Sequence, residues 1–443
     1  MKQRTALDIL KLGHNVFLTG PAGSGKTFLL NQYIAHLKSK KIGVAVTAST
    51  GIAATHMNGQ TIHSWSGMGI KDELTEGDLN KLKRKFFYRK RFAKTHTLIV
   101  DEISMLHAHQ LDMVNKICKA FKDPFLPFGG LQVILCGDFF QLPPVSKNSQ
   151  KAKFAMESLA WQEMNPKICY LEEQYRQEDE KMSKILNAIR NQKVDDQILS
   201  LILSRENQPT RSDIYPTRIF THNANADAIN NLELQRIKEK PLAYTMQSDG
   251  NDKLVSVIKK GCLAPERLVL KKGAVVMFVK NNFDRGFVNG TLGKIVDFDE
   301  NKLPIVKTFL GAEIVALPEK WAIEEDDRVL ASVTQIPLRL AWAITVHKSQ
   351  GMTLDAAEMD LSKSFEYGMG YVALSRLRTL DGIKLLGINE TALKVNPEIC
   401  ELDKELEKMS DMNFQEIAGM SRKNKKKLQE DFIEKNSGKR RRK

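Results

Sequence analysis

The chain has 443 residues, enough for about three packed units of ordinary size and for a buried core without disulfide or metal staples. Hydrophobic residues make up 42% and charged residues 27%, which excludes wholesale disorder, and no window approaches the roughly 18 apolar residues of a membrane span. Residues 1–18 lack a signal-peptide pattern and five scattered cysteines form no C-x-x-C pair, so the expectation is a soluble, intracellular protein with buried thiols.

Lys and Arg total 67 against 53 Asp and Glu, a net of +14, and the excess is localised. Residues 81–94 (KLKRKFFYRKRFAK) hold eight basic and no acidic residues; residues 421–443 hold eleven basic and three acidic ones. The remainder is close to neutral, so the pattern points to polyanion contacts at defined places. The second run, ending GKRRRK, reads as a solvated end with non-specific nucleic-acid affinity, and its removal is expected to flatten the salt dependence of DNA binding. The first interleaves charge with Phe86, Phe87, Tyr88 and Phe92. Two readings stay open for it: a surface that binds phosphates and stacks on bases, or a helix with its aromatics in the core.

In chain order, the first element is a short β-favouring run, NVFLT at 15–19, followed by Gly20-Pro21-Ala22-Gly23-Ser24-Gly25-Lys26-Thr27 and then by an apolar helical pattern through Leu30, Ile34 and Leu37. Strand, G-x-x-x-x-G-K-[ST] and helix form the context of a phosphate-binding loop. Its glycines let backbone N–H groups face phosphate oxygens, Lys26 reaches the β- and γ-phosphates, and the Thr27 hydroxyl ligates Mg²⁺. A second strand, TLIVD at 97–101, ends in Asp101-Glu102, where Asp101 holds the metal and Glu102 deprotonates the attacking water. A third, LQVILC at 131–136, leads into GDFFQLPPV, with Gln141 placed to sense the γ-phosphate. Three apolar strands with helical connectors imply a parallel sheet carrying its site at the strands' C-terminal ends. His107 and His109 read as a polar helix start. The residues alone support a Mg²⁺-dependent NTPase.

TGPAGSGKT, VAVTASTGIAATHMNGQTIHSWSGMG, LIVDEISML, GGLQVILCGDFFQLPPV, LEEQYRQ, LAWAITVHKSQGMTLD and YVALSRLRTLDG occur, in that order, between residues 20 and about 382. This set resembles the Pif-type DNA helicases, the RecD-like 5′-to-3′ branch of helicase superfamily one. The resemblance implies an α/β protein with two RecA-like domains built on parallel sheets, ATP between them and single-stranded DNA across their top. The first domain is expected over residues 1–168, with a wedge insertion at about 66–91. The second is expected over 169–269 and 335–400, interrupted by a small β-barrel at 270–334, where short alternating strands are legible. Residues 401–443 are left for a C-terminal helix, taken to pack on the second domain through Ile399, Leu402, Leu406 and Met409, and a basic tail.

The same resemblance assigns residues. Arg176 and Arg376 match arginines that reach the γ-phosphate from the second domain, joining Lys26, Glu102 and Gln141 as catalytic groups. Gln3 matches an adenine-reading glutamine, and Gly351 is counted with the nucleotide residues. Thr50, Gly51, Thr61 and His63 on the first domain, and Thr221, Asn223, Thr345, His347 and Lys348 on the second, match loops that track a DNA backbone. Trp65 is either core or a base-stacking platform. The implied function is an ATP- and Mg²⁺-dependent helicase stepping 5′ to 3′ on single-stranded DNA and opening duplex or folded DNA in repair, recombination, replication or telomere maintenance. It is expected to be a monomer, free of membrane, cytoplasmic in a bacterium and nuclear or mitochondrial in a eukaryote, with replication, repair or single-strand-binding proteins as partners. A translocase that mainly strips proteins, and an ATP-switched DNA-binding module, are the alternatives.

Overall fold

A computed structural model describes the chain apart from residues 58, 70, 145–151, 178, 211–215, 222, 283, 288, 310, 326–327 and 438–443. The end of the GDFFQLPPV block (Val145), His222 in the second backbone-tracking loop, Val288 in the expected barrel and the terminal GKRRRK lie outside the described residues. The chain divides into two units. The first holds residues 1–139, 143–175 and 401–443, and the second holds 140–142 and 176–400.

The first unit is a parallel sheet of six strands: β1 (Val16–Thr19), β2 (Val44–Ala48), β3 (Gln60–Thr61), β4 (Thr97–Asp101), β5 (Gln132–Cys136) and β6 (Lys167–Tyr170), in the order β3-β2-β4-β5-β1-β6. Every residue of β1, β4 and β5 is buried, as expected of apolar runs covered on both faces by crossover helices. Helices Gln3–Lys11 and Lys26–Ser39 supply much of that cover, with Ile9, Leu10, Leu29, Leu30, Tyr33 and Leu37 packing on Val16, Leu18, Ile99 and Ile134.

The run 81–94 forms the helices Glu76–Arg84 and Phe86–Lys94, broken where Lys85 is extended. The core reading holds for Phe92, and Phe86 is left at the surface. Phe92 is buried between Phe121, stacked at 4.4 Å, and Trp65 at 4.8 Å, while Phe86 is 70% exposed. Arg91 is drawn inward: its guanidinium lies 4.2 Å from the Phe87 ring centre and donates to the Ser64 carbonyl at 3.3 Å. Its charge is therefore spent on the fold, whereas Lys81, Lys83, Arg84, Lys85 and Arg89 stay at the surface.

The C-terminal segment corrects the sequence reading. Helix Pro397–Gly419 is anchored from Asp403 onward on β6 of the first unit: the Tyr170 hydroxyl donates to Asp403 at 2.9 Å, Tyr170 N–H donates to Ser410 Oγ at 3.1 Å, and Lys167 pairs with Glu416 at 2.5 Å. Apolar spacing revealed a face but not its partner; polar ties along an edge strand decide it. The described part of the tail then forms another helix, Arg422–Asn436, capped by Ser421 and largely exposed.

The second unit carries a four-stranded parallel sheet, ordered Ala343–Thr345, Thr217–Phe220, Ala357–Leu361, Ile383–Ile388. The strands within 270–334 fall into two antiparallel sheets. One has five strands from Glu313–Val315 to Leu338–Leu340, with a bulge at Ile295/Asp297; the other pairs Glu319–Glu325 and Arg328–Gln335 with Gln247–Gly250. Each sheet thus recruits one strand from outside the expected insertion. Among the described residues no helix is long and apolar enough to cross a membrane.

Candidate nucleotide site and nucleic-acid contacts

β1 delivers the chain into the glycine-rich loop at the C-terminal edge of the sheet. Gly20 has φ 135°, and a Cβ there would meet the Leu171 carbonyl oxygen at 2.3 Å, so only glycine fits against the neighbouring strand end. Gly25 is left-handed (φ 79°) and begins helix Lys26–Ser39, where a Cβ would meet Gln3 Nε2 at 2.1 Å. Lys26 Nζ donates to the carbonyls of Gly20 at 2.8 Å and Pro21 at 3.0 Å, folding the ammonium across the loop. Ala22 and Ser24 are buried, Gly23 is half-buried with φ 84°, and Thr27 is exposed at the start of the helix. Gln3 lies on this loop too, donating from Nε2 to the Ser24 carbonyl at 3.1 Å.

Two strands along, β4 ends in Asp101, whose Oδ1 accepts the Glu102 N–H at 2.9 Å. Burial pushes the Asp101 carboxyl above the usual range, opposed by the Glu102 N–H, the Cys136 thiol and the Lys26 charge. A buried carboxylate of this kind is favoured in its ionised form by a cation, so the donor set suits a divalent metal. Glu102 adopts the left-handed conformation (φ 50°, ψ 46°), a backbone state costing on the order of 1–3 kcal/mol outside glycine and concentrated at functional turns.

Ser49 was not singled out in the sequence. Its N–H donates to the Asp101 carbonyl at 3.1 Å and its Oγ to the Glu102 carbonyl at 2.6 Å, so the loop bearing Thr50 and Gly51 is bonded directly to the carboxylate-bearing strand end. Thr50 Oγ1 accepts the Ala53 N–H at 3.2 Å, and Gly51 opens helix Gly51–His56. Thr61 caps helix Ile62–Ser66 by accepting the Ser64 N–H at 3.2 Å. His63 is half-buried; burial, with His109 beside it, lowers its pKa, so the ring is more readily neutral than a free histidine. His107 and His109 stack at 5.2 Å around the first turn of helix Ala108–Phe121.

Trp65 is corrected to core. It is 2% exposed, with its ring against Phe92, and no face remains for a base. Trp65→Ala is expected to lower stability by about 3–5 kcal/mol, as for large aromatic truncations, while the folded fraction keeps its single-strand affinity; chemical denaturation and fluorescence titration measure the two.

The second unit gathers another set. Arg176 donates from a terminal guanidinium nitrogen to the Ser375 carbonyl at 3.1 Å, and Gln177 Nε2 does the same at 3.3 Å. Arg376, 2% exposed, donates to the Val372 carbonyl at 2.9 Å and to Ser375 Oγ at 2.7 Å. The two arginines thus meet at Ser375, between helix Met369–Leu374 and the turn after it. Gln141 is buried in this unit, where its backbone and that of Phe140 pass close to Gly368: a Cβ on that glycine would lie 2.4 Å from the Phe140 carbonyl oxygen and 3.1 Å from that of Gln141. Arg190, 4% exposed, sits 4.1 Å over the Phe140 ring. Arg190 and Ser375 escaped the sequence reading because nothing local marks an arginine or serine that serves a distant loop.

Among the DNA candidates here, Thr345 is 1% exposed and its Oγ1 accepts the Lys348 N–H at 3.3 Å, so it shapes the turn His347–Ser349 rather than offering its hydroxyl to solvent. Lys348 is half-buried 3.8 Å from Asp227, and burial lowers the His347 pKa. Thr221 is buried, Gly351 is exposed and left-handed (φ 73°), and Asn223 opens helix Asn223–Arg236.

A family profile described as PIF1-like helicase matches residues 2–211, and one described as DNA helicase Pif1, 2B domain, matches 253–298. The ATP-dependent DNA helicase Pif1 of Psychrobacter sp. is 46% identical over 90% of this chain and 69% of its own length. The ATP-dependent DNA helicase PIF1 of Xenopus laevis is 36% identical over 92% of this chain, which spans 64% of the frog protein. Among solved structures, Bacteroides sp Pif1 in complex with ADP-AlF4 superimposes with a TM-score of 0.80 at 30% identity, covering 93% of this chain and 97% of that one. Bacteroides Pif1 bound to ssDNA gives 0.64 at 32%, with the same coverage.

Proposed function

This chain belongs to the PIF1-like helicase family, the ATP-dependent DNA helicases, and we propose that it steps 5′ to 3′ along single-stranded DNA, opening duplex or folded DNA ahead of it. The observation that carries this reading is a division of labour: Lys26, Thr27, Asp101 and Glu102 stand on one unit, and Gln141, Arg176 and Arg376 on the other. The first set binds a triphosphate and prepares water; in the second, the two arginines supply positive charge to the γ-phosphate, where negative charge spreads in the transition state.

In this reading Gly20–Lys26 hold the phosphates and Gln3 reads the adenine. Thr27 and Asp101 would hold Mg²⁺, which neutralises phosphate charge. Glu102 takes the proton of the attacking water, and Gln141 registers the terminal phosphate. A hydrolysis that needs arginines from the second unit runs only when they are brought up, which ties chemistry to motion. Thr50, Gly51, Thr61 and His63 on one unit, and Thr221, Asn223, His347 and Lys348 on the other, form the two grips on the backbone, with Thr345 setting the last turn. Contacts of this type bind phosphates without reading bases and suit passage along any sequence. The Ser49 bonds to Asp101 and Glu102 support a path by which an occupied grip aligns the hydrolytic carboxylates.

The test is fork unwinding. The chain is expected to open forks with a 5′ single-stranded tail in the presence of ATP, and to leave 3′-tailed forks paired. Equal opening of both would refute the polarity; opening of neither, with ATP-dependent release of a bound protein, would favour the stripping translocase.

A further inference from the structure

The C-terminal basic helix has a definite address. Helix Pro397–Gly419 runs antiparallel to β6, since Asp403 sits beside Tyr170 at the strand's end and Glu416 beside Lys167 at its start. Helix Arg422–Asn436 then crosses the N-terminal ends of the strands. Its Phe432 lies on Gly13, just before β1, where a Cβ would be 2.4 Å from the ring. Its Asn436 is hydrogen-bonded to the side chain of His96, just before β4. Phe432 and Ile433 pack against the sheet's core cluster. The partly covered residues Lys425, Gln429, Phe432, Ile433 and Asn436 mark the docked stripe, while Arg422, Lys423, Lys426 and Lys427 are exposed.

This places the helix at the opposite edge of the sheet from Lys26, Asp101 and Thr50. Helix Gln3–Lys11 and helix Lys26–Ser39 both start at the phosphate loop and end at this edge, which adds Lys11 and exposed Lys38, Lys40 and Lys41. Burial lowers the pKa of His14, His36 and His96, and a lysine adds to the lowering in each, Lys167, Lys11 and Lys122 respectively, with Glu416 opposing it at His14. Of the acids, Glu416 is paired with Lys167 and Glu430 faces Lys426 at 3.8 Å, while Asp431 and Glu434 lie in the helix's second half.

We propose that this strand-start edge of the first unit is a second polynucleotide site, which grips the phosphate backbone of duplex DNA through Arg422, Lys423, Lys426 and Lys427. No aromatic side chain stands among them, so base stacking contributes nothing and attraction scales with charge density. Duplex DNA, with one negative charge per roughly 1.7 Å of axis, is the nucleic acid that rewards such a surface most. The site is separate from the grips assigned to translocation and goes beyond them.

The test uses the full chain with Arg422, Lys423, Lys426 and Lys427 all changed to Gln, a good helix former, and a second variant with Lys38, Lys40 and Lys41 changed to Gln. Probes are a blunt 30-base-pair duplex, a 30-nucleotide single strand and an Asp/Glu-rich peptide. With about 0.9 counterions released per duplex phosphate, the log–log salt dependence of duplex affinity should become shallower by up to about 3.6 in the first variant, which removes four charges, and by up to about 2.7 in the second, which removes three. Single-strand affinity, single-strand-stimulated ATPase and thermal midpoint should hold. An unchanged duplex slope overturns the proposal. So does an equal loss on the single strand, or peptide binding that the substitutions abolish while the duplex slope stays. Failure of the helicase reading would show separately, as a natural chain whose ATPase ignores single-stranded DNA.

Discussion

Glu102→Gln is expected to bind ATP almost as the natural chain does and to lose steady-state hydrolysis by about 10²–10⁴-fold, the range a general base contributes. The amide keeps the volume and hydrogen-bonding capacity of the side chain, and Asp101 and Thr27 remain to favour the metal–nucleotide complex. Glu102 sits in a left-handed turn closed by the Ser49 hydroxyl, and the substitution leaves that turn in place. Equilibrium binding of a fluorescent ATP analogue together with a coupled phosphate-release assay separates the two effects. Residual hydrolysis above about a tenth of normal would move the base elsewhere.

Arg176→Ala is expected to cost about 10³–10⁵ in single-strand-stimulated turnover, as when an arginine is withdrawn from a phosphoryl transition state, with ATP affinity changed only a few-fold. The choice of arginine matters. Arg376 is buried and bonded to its own helix and to Ser375, so truncating it also leaves buried acceptors unpaired, at about 1–3 kcal/mol. Arg176 is half-buried rather than buried, so its loss disturbs the fold less. Arg176→Lys should recover little, because an ammonium cannot reproduce the planar, forked guanidinium. Stopped-flow phosphate release at saturating ATP reads the loss; a turnover within threefold of normal would remove Arg176 from the chemistry.

The nucleotide loop was legible because its determinants are local: a β-run, glycines where the backbone turns left-handed, and a helix begin within a dozen residues. The strand end bearing Asp101 was legible for the same reason, closing an apolar run, and Gln141 follows a few residues after another such run ends at Cys136. What escaped depends on contacts between residues far apart in the chain. Trp65 is core because Phe92, itself stacked on Phe121, comes to meet it, and no pattern around Trp65 announces that. Arg91 looked like one more cation in a basic run until the Phe87 ring and the Ser64 carbonyl took up its guanidinium. Ser49 sits among hydroxyls of equal promise; only pairing of β2 with β4 singles it out. The C-terminal helix displayed an apolar stripe, but stripes do not name partners, and the choice fell to Asp403, Ser410 and Glu416 along an edge strand.

The docking of Phe432 against Gly13 bears on how the tail should be studied. A chain cut before Ser421 sheds more than charge: it uncovers the apolar shelf that Phe432 and Ile433 roof over, beside Met420 and Ile417. Shortened protein would then be prone to self-association, and any loss of DNA affinity would blend missing lysines with clumping. Point replacements that spare the roof keep those two causes apart, and a fusion partner joined at this terminus would need slack enough to leave the helix seated.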